Sequence, residues 1–205
     1  MNKNFVSDAK ESSRMFKSDL LESVSKVHFS VPLILYVPVI GGLLYQGAVA
    51  PDFAPLTFIL SFFGGLLVWT FTEYALHRFV FHYVPKGRWG QRLHFIFHGV
   101  HHDFPNDRLR LVMPPSVSVP LALGFYFAFR ALLPAVWLPP FFAAFLVGYL
   151  CYDMSHYAFH HMPLRHPLLK KMKQHHMRHH YQEPDKGYGV SSVLWDKLMH
   201  TDFER

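Results

Sequence analysis

The chain has 205 residues, of which 51% are hydrophobic and 17% charged, with a formal net charge of +6. Its single cysteine, Cys151, excludes an intramolecular disulfide. Four long stretches without Asp, Glu, Lys or Arg exclude a disordered chain and argue against an ordinary soluble enzyme.

In chain order, residues 1–26 are polar and form an expected cytoplasmic N-terminal segment. This segment reads either as an amphipathic interfacial helix, with Phe5, Met15, Phe16, Leu20 and Leu21 as its apolar members, or as a mobile tail. Val27 to Thr72 follows, an apolar stretch broken by Asp52 in the turn Ala50-Pro51-Asp52-Phe53. Leu111 to Tyr152 is a second, carrying Arg130 and turning through Pro134, Pro139 and Pro140. Neither has the polar stripe of a surface helix. The expected fold is therefore all-α: an integral membrane protein with four transmembrane helices as two hairpins. The spans fall at about 29–50, 54–76, 112–133 and 140–158, and the cytoplasmic helical cap at 77–111 and 159–205.

Orientation follows from the basic residues. Of the 20 Lys and Arg, all but Arg130 lie before the first hairpin, between the hairpins or after the second. Both termini and the central segment are thus expected on the cytoplasmic side. The net positive charge reads as this bias plus contact with anionic headgroups, and gives no reason to expect nucleic acid as a partner.

Of the 16 His, all but His28 lie beyond the second expected span, in the segments assigned to the cytoplasmic boundary. They group as His77 and His82; His94, His98, His101 and His102; His156, His160 and His161; and His175, His176, His179 and His180. Residues three and four apart share a helix face, so His98, His101 and His102 should point one way, as should His176, His179 and His180. His77 and His82 are five apart and converge only if the helix ends or bends between them, or if they serve different metals. Clustered cationic rings would repel one another, and clustered neutral rings would need many partners. A metal accounts for both number and spacing. His28, His161 and His166 read as ordinary hydrogen-bonded or exposed side chains, and His200 as a support residue.

Ten donors (His77, His82, His98, His101, His102, His156, His160, His176, His179 and His180) exceed what one ion accepts, so two metals are expected. Carboxylates are scarce here. Glu73, one turn before His77, and Asp153, three residues before His156, are assigned to orienting a ligand ring. A neutral-ligand site beside an acyl-chain phase suits oxidation of an unactivated C–H bond by dioxygen, which calls for iron, zinc having no redox activity. The metals would sit near the headgroup plane, with the acyl chain along Phe58, Phe62, Phe63, Phe125, Phe127 and Phe145.

Several stretches resemble a known family. They are Glu73-Tyr74-Ala75-Leu76-His77-Arg78-Phe79-Val80-Phe81-His82, Leu93-His94-Phe95-Ile96-Phe97-His98-Gly99-Val100-His101-His102, Gly148 to Tyr157 and His175-His176-Met177-Arg178-His179-His180. Together they resemble the fatty acid hydroxylase superfamily of membrane di-metal oxygenases. Arg110-Leu111-Val112-Met113-Pro114-Pro115 and Lys186-Gly187-Tyr188-Gly189-Val190-Ser191 point to its fatty acid 2-hydroxylase, or sphingolipid α-hydroxylase, branch. The resemblance implies that residues 27–205 are a membrane hydroxylase domain. It also implies that the ten His are the ligands of two iron ions, which zinc can replace in purified protein, with His94 and His175 accessory. The implied reaction is hydroxylation at carbon 2 of a long fatty acid or sphingolipid N-acyl chain. Sterol desaturation or oxidation and carotenoid hydroxylation, in the same superfamily, are the alternatives, and a non-catalytic metal-binding or metal-transport protein is a more distant one. Many eukaryotic members carry an N-terminal b-type cytochrome domain. The polar segment before the first span is too short for one, so a separate electron donor, a ferredoxin or b-type cytochrome, is expected. The compartment would be a bacterial inner membrane, or the endoplasmic reticulum in a eukaryote.

Overall fold

A computed structural model describes residues 6–9 and 11–204. Phe5, one of the apolar members named for the N-terminal segment, lies outside them. All regular elements among the described residues are helical. After α1 (Asp19–Ser25) come two long helices, α2 (Ser30–Ala48) and α3 (Pro55–Leu76). The latter runs on through a π-helical turn, His77–Phe81. A rod then follows in three pieces, α4 (Arg88–His94), a second π-helical turn (Phe95–Gly99) and α5 (Val100–Asp103). Two more long helices, α6 (Pro115–Leu132) and α7 (Leu138–His161), precede α8 (Pro167–Tyr181) and the short α9 (Leu194–Leu198).

Proline sets several of these starts. Pro55, Pro115 and Pro167 each occupy the first turn of their helix, where a missing N–H costs nothing. Among the described residues, three helices are long and apolar enough to cross a membrane: Ser30–Ala48, Pro55–Phe81 and Pro115–Leu132. α7 is of another kind. Of its 24 residues 17 are buried, including Phe141, Phe142, Phe145 and Leu146, on every side of the helix.

The paired apolar runs suggest two self-contained hairpins, but the packing is centred on α7, which lies against α3, α2 and α6. Small residues permit the approach to α3. A Cβ on Gly65 would stand 2.1 Å from the Phe141 carbonyl oxygen, and one on Gly148 would stand 2.4 Å from the Trp69 ring. Trp69 then meets Phe145 edge-on at 5.1 Å and Tyr149 at 5.6 Å, filling the core with aromatic area. The Tyr36 hydroxyl donates to Ser118 at 3.0 Å, joining α2 to α6 inside the apolar region.

The described part of the N-terminal segment is neither free nor a long surface helix. Its described residues strap the cap. Ser7 N–H donates to the Asp103 carbonyl at 2.8 Å and Ser13 N–H to the Asp107 carboxylate at 3.1 Å. The Arg110 guanidinium, with its side chain 2% exposed, reaches the Ser13 carbonyl at 2.8 Å and Glu22 at 2.5 Å. Glu22 also accepts the Met15 N–H at 3.0 Å and pairs with Lys26 at 3.0 Å. Burial raises the Glu22 pKa, but Lys26, the two backbone donors and Arg110 outweigh it and hold the carboxyl down at about 2.

Candidate metal centre

The long helices bring their histidine-bearing ends to the α4–α5 rod and to α8, and ten rings converge there in two groups. One group is His77, His82, His98, His102 and His179; the other is His101, His156, His160, His176 and His180. Within each group one nitrogen per ring lies within 4.8 Å of all the others. The i, i+3, i+4 sets face the same centre but divide between its halves. His98 and His102 stand in the first group and His101 in the second. His176 and His180 stand in the second and His179 in the first.

The five-residue gap between His77 and His82 is closed by the π-helical turn, in which the His82 N–H bonds the His77 carbonyl at 3.1 Å. A hydrogen bond from i+5 stacks residues five apart on one face, which an α-helix cannot do. The two Nε2 atoms then converge on His98 Nε2, each at 3.1 Å.

Close contacts between ring nitrogens are informative. His102 Nε2 lies 2.9 Å from His98 Nε2, His179 Nε2 3.1 Å from His82 Nε2, and His160 and His101 lie 3.0 Å from His176 and His180. Metal–imidazole bonds of about 2.1 Å at right angles place adjacent nitrogens about 3.0 Å apart. The donor set therefore has the spacing of an ion's coordination edges, and the residues fit the metal that such a set implies.

Protonation is consistent with that use. Burial, with repulsion from neighbouring rings, lowers His82 to about 2 and His101 to about 3. Burial also brings His179 down to about 4, against the opposing pull of the Lys186 carbonyl. These rings are neutral at pH 7, with a lone pair available. In the first group the lone pair is aimed by the loop after α8. His77 Nδ1 donates to the Tyr188 carbonyl and His179 Nδ1 to the Lys186 carbonyl, the latter at 2.7 Å. A carbonyl only accepts, so each Nδ1 holds the proton and each Nε2 is free.

The loop is fixed in turn by two buried carboxylates. Asp196 accepts the Tyr188 and Gly189 N–H groups at 2.8 and 2.7 Å. Glu73 accepts the Val190 and Ser191 N–H groups at 2.7 and 2.8 Å and the Ser191 hydroxyl. Both glycines of the Lys-Gly-Tyr-Gly-Val stretch are required. Gly187 has φ +69°, and a Cβ on Gly189 would stand 2.0 Å from the Ser192 carbonyl oxygen.

Glu73 therefore bonds the loop and the Trp69 indole, at 3.3 Å, but no imidazole, because the loop carbonyls take the position beside the His77 ring. Asp153 departs from expectation. It is 1% exposed, and neither of its oxygens nor either nitrogen of His156 makes a hydrogen bond of ordinary geometry. His94 and His175 stand outside both groups: His94 lines a cavity beside the centre, and His175 Nε2 meets Asp202 at 3.3 Å. His28 bonds Ser30 at 2.8 Å, and His166 stands at the N-terminal boundary of α8 without a side-chain capping bond.

A cavity of about 220 Å³ reaches both groups, ending on His98, His101 and His156. Its other walls are largely apolar, from Phe81, Phe97, Leu111, Val112 and Met113, and it is closed by Met15, Phe16, Leu21 and Val24 of the N-terminal strap. The phenylalanines suggested for an acyl path lie elsewhere. Phe58, Phe62 and Phe63 line an outer groove with Leu44 and Tyr45, and Phe125 and Phe145 pack together at 5.0 Å. The Arg-Leu-Val-Met-Pro-Pro stretch was the available signal: Arg110 anchors the strap, and the three residues after it form the wall.

The fatty acid hydroxylase family model matches residues 62–201. A dihydroceramide fatty acyl 2-hydroxylase of Arabidopsis thaliana is 38% identical over 197 residues, covering 94% of this chain and 81% of that protein. A fatty acid 2-hydroxylase of Mus musculus is 41% identical over 210 residues, 92% of this chain and 56% of the mouse protein. The solved structure of full-length scs7p, of which only the hydroxylase domain is visible, superposes with a TM-score of 0.85 at 37% identity, over 91% of this chain and 70% of that one. The chain belongs to the fatty acid hydroxylase family.

Proposed function

We propose that this enzyme hydroxylates carbon 2 of a long acyl chain, free or as the N-acyl chain of a sphingolipid. The observation that carries this reading is the apolar cavity ending on both histidine groups. The names of the relatives, fatty acid 2-hydroxylase and dihydroceramide fatty acyl 2-hydroxylase, agree with it. The ten His hold two iron ions, five nitrogens to each. Bound iron supplies the activation of dioxygen that a C–H bond next to a carbonyl requires. Insertion of one oxygen atom, with the other leaving as water, consumes two electrons and two protons. A separate ferredoxin or b-type cytochrome delivers the electrons, with Lys170, Lys171 and Lys173 of α8 as a basic docking surface for an acidic donor.

The protein's own part is placement. Residues 27–205 act as the hydroxylase domain and residues 1–26 as its cytoplasmic strap. α7 serves as a fourth span inside the bundle of the other three, with both termini and the histidine centre at the cytoplasmic boundary. His77 and His156 then stand near the headgroup plane. A lipid held there by its polar group presents carbon 2 to the centre, while mid-chain carbons lie deeper. Such positioning is most of regioselectivity when the oxidant is aggressive. Asp153 and Tyr152 line the same cavity and Leu111 to Met113 form its wall, so they hold the first carbons of the chain. The test is reconstitution in nanodiscs with an acyl substrate and reduced ferredoxin. Chain loaded with ferrous iron should form the 2-hydroxy product and zinc-loaded chain none. Equal turnover with zinc would refute the reading.

A further inference from the structure

A second cavity, of about 250 Å³, also reaches the histidine centre, and its chemistry differs from the first. Its inner wall is His82, His98, His102 and His180, drawn from both groups. Asp103 and Asp185 are its carboxylates, and Val84 and His94 also line it. Exposure grades along it: His98 and His180 are buried, His82, His102 and Asp103 half-buried, and Asp185 exposed. The two half-buried rings of the first group thus both face this cavity.

We propose that this cavity is the route by which divalent metal cations enter and leave the ten-histidine centre, with Asp103 and Asp185 concentrating the cation at its mouth. The proposal rests on the reading that the centre holds metal. A hydrated dication loses its water shell only where other donors replace it. The apolar cavity suits a cation less: Phe16, Leu21 and Val24 line its strap side, and the Arg110 guanidinium in its wall repels a dication. The polar cavity supplies such donors: carboxylates come first, then imidazoles that are neutral and ready to ligate. Two carboxylates at the mouth of a low-dielectric cleft also raise the local cation concentration and the rate of entry.

The test plugs each cavity in turn in the metal-loaded full chain. Val84 is 54% exposed at the polar cavity, and Phe97 is 51% exposed at the apolar one. Each is replaced by Cys in a Cys151→Ala background and labelled with a bulky maleimide. Metal loss to an excess of chromogenic chelator is then timed. Labelled Val84→Cys should lose metal about tenfold more slowly than the unlabelled protein, and labelled Phe97→Cys at an unchanged rate. A charge variant gives a second reading. Asp185→Lys in chelator-stripped chain should take up cobalt(II) about tenfold more slowly at low salt, with the gap closing as salt is added and the final metal content unchanged. An unaltered rate of loss after labelling at Val84, or slowing only at Phe97, overturns the route while leaving the centre intact. A chain that carries no metal before labelling overturns both the route and the reading beneath it.

Discussion

A histidine that ligates through Nε2 must place its Nδ1 proton elsewhere, and in the first group that is the task of Tyr188 and Lys186. Hydrogen bonds of this kind set the tautomer and raise the basicity of the ligating nitrogen. His98 has the most contacts within that group, with three ring nitrogens at 2.9 to 3.1 Å. His98→Ala should cut metal content from two ions to about one per chain and abolish turnover, whereas His175→Ala, which removes the contacts with Asp202 and Phe203, should retain both ions. Elemental analysis of the purified variants distinguishes the two. The residue types of this centre were legible in the sequence, because imidazoles clustered at helical spacing seldom serve anything but a metal. The division of each i, i+3, i+4 set between two groups was not. A helix face about 100° wide can serve two ions, and spacing alone does not say where the boundary falls. Nor did spacing show that Glu73 acts through a loop more than a hundred residues further along the chain.

At the scale of elements, the π-helical turn at His77–Phe81 is what makes an x4 spacing workable. Inserting an alanine after Val80, which is exposed, should put the two His six apart and swing His82 roughly 100° off the centre. The expected result is loss of metal from the first group with the helical circular dichroism signal preserved. An insertion variant with full metal content would show that this spacing is not required. The N-terminal strap is the other element whose function follows from its bonds. The Glu22 carboxyl is lowered in the folded chain, to about 2 from an ordinary value near 4.5. Its stabilisation is therefore complete above about pH 4.5 and is lost as pH falls through about 2. Hydrogen exchange in residues 11–25 should stay slow from pH 7 to 5 and rise only in stronger acid. Glu22→Ala should loosen the strap at neutral pH, at a cost below the roughly 3 kcal/mol of a fully unpaired buried charge, since Asp107 still stands 3.5 Å from Arg110. Exchange that already rises between pH 7 and 5 would contradict the assignment. Nothing in the composition of residues 1–26 marked Glu22 as buried. Its partner Arg110 is 88 residues away, and long-range ion pairs leave no local pattern.

For the molecule as a whole, the division of labour follows from which surfaces are apolar. Three helices present apolar sides outward, with only 6 to 22% of their apolar stretches buried, while α7 fills the space between them and carries His156 and His160 into the centre. The four apolar runs were visible as charge-free stretches. The central position of α7 was not, because hydropathy alone cannot separate a helix facing lipid from one facing other helices. The cavity follows the same logic: its wall comes from the chain between the cap and α6 and from the strap, and the proposed function puts the reacting carbon there, where apolar and polar regions join. Regiochemistry tests that claim most directly. A host expressing the chain under labelled dioxygen should yield acyl chains with the heavy oxygen on carbon 2, located by tandem mass spectrometry, and none in a host expressing His98→Ala. Label at a mid-chain carbon, a new double bond, or oxidised sterol or carotenoid with untouched acyl chains would contradict it.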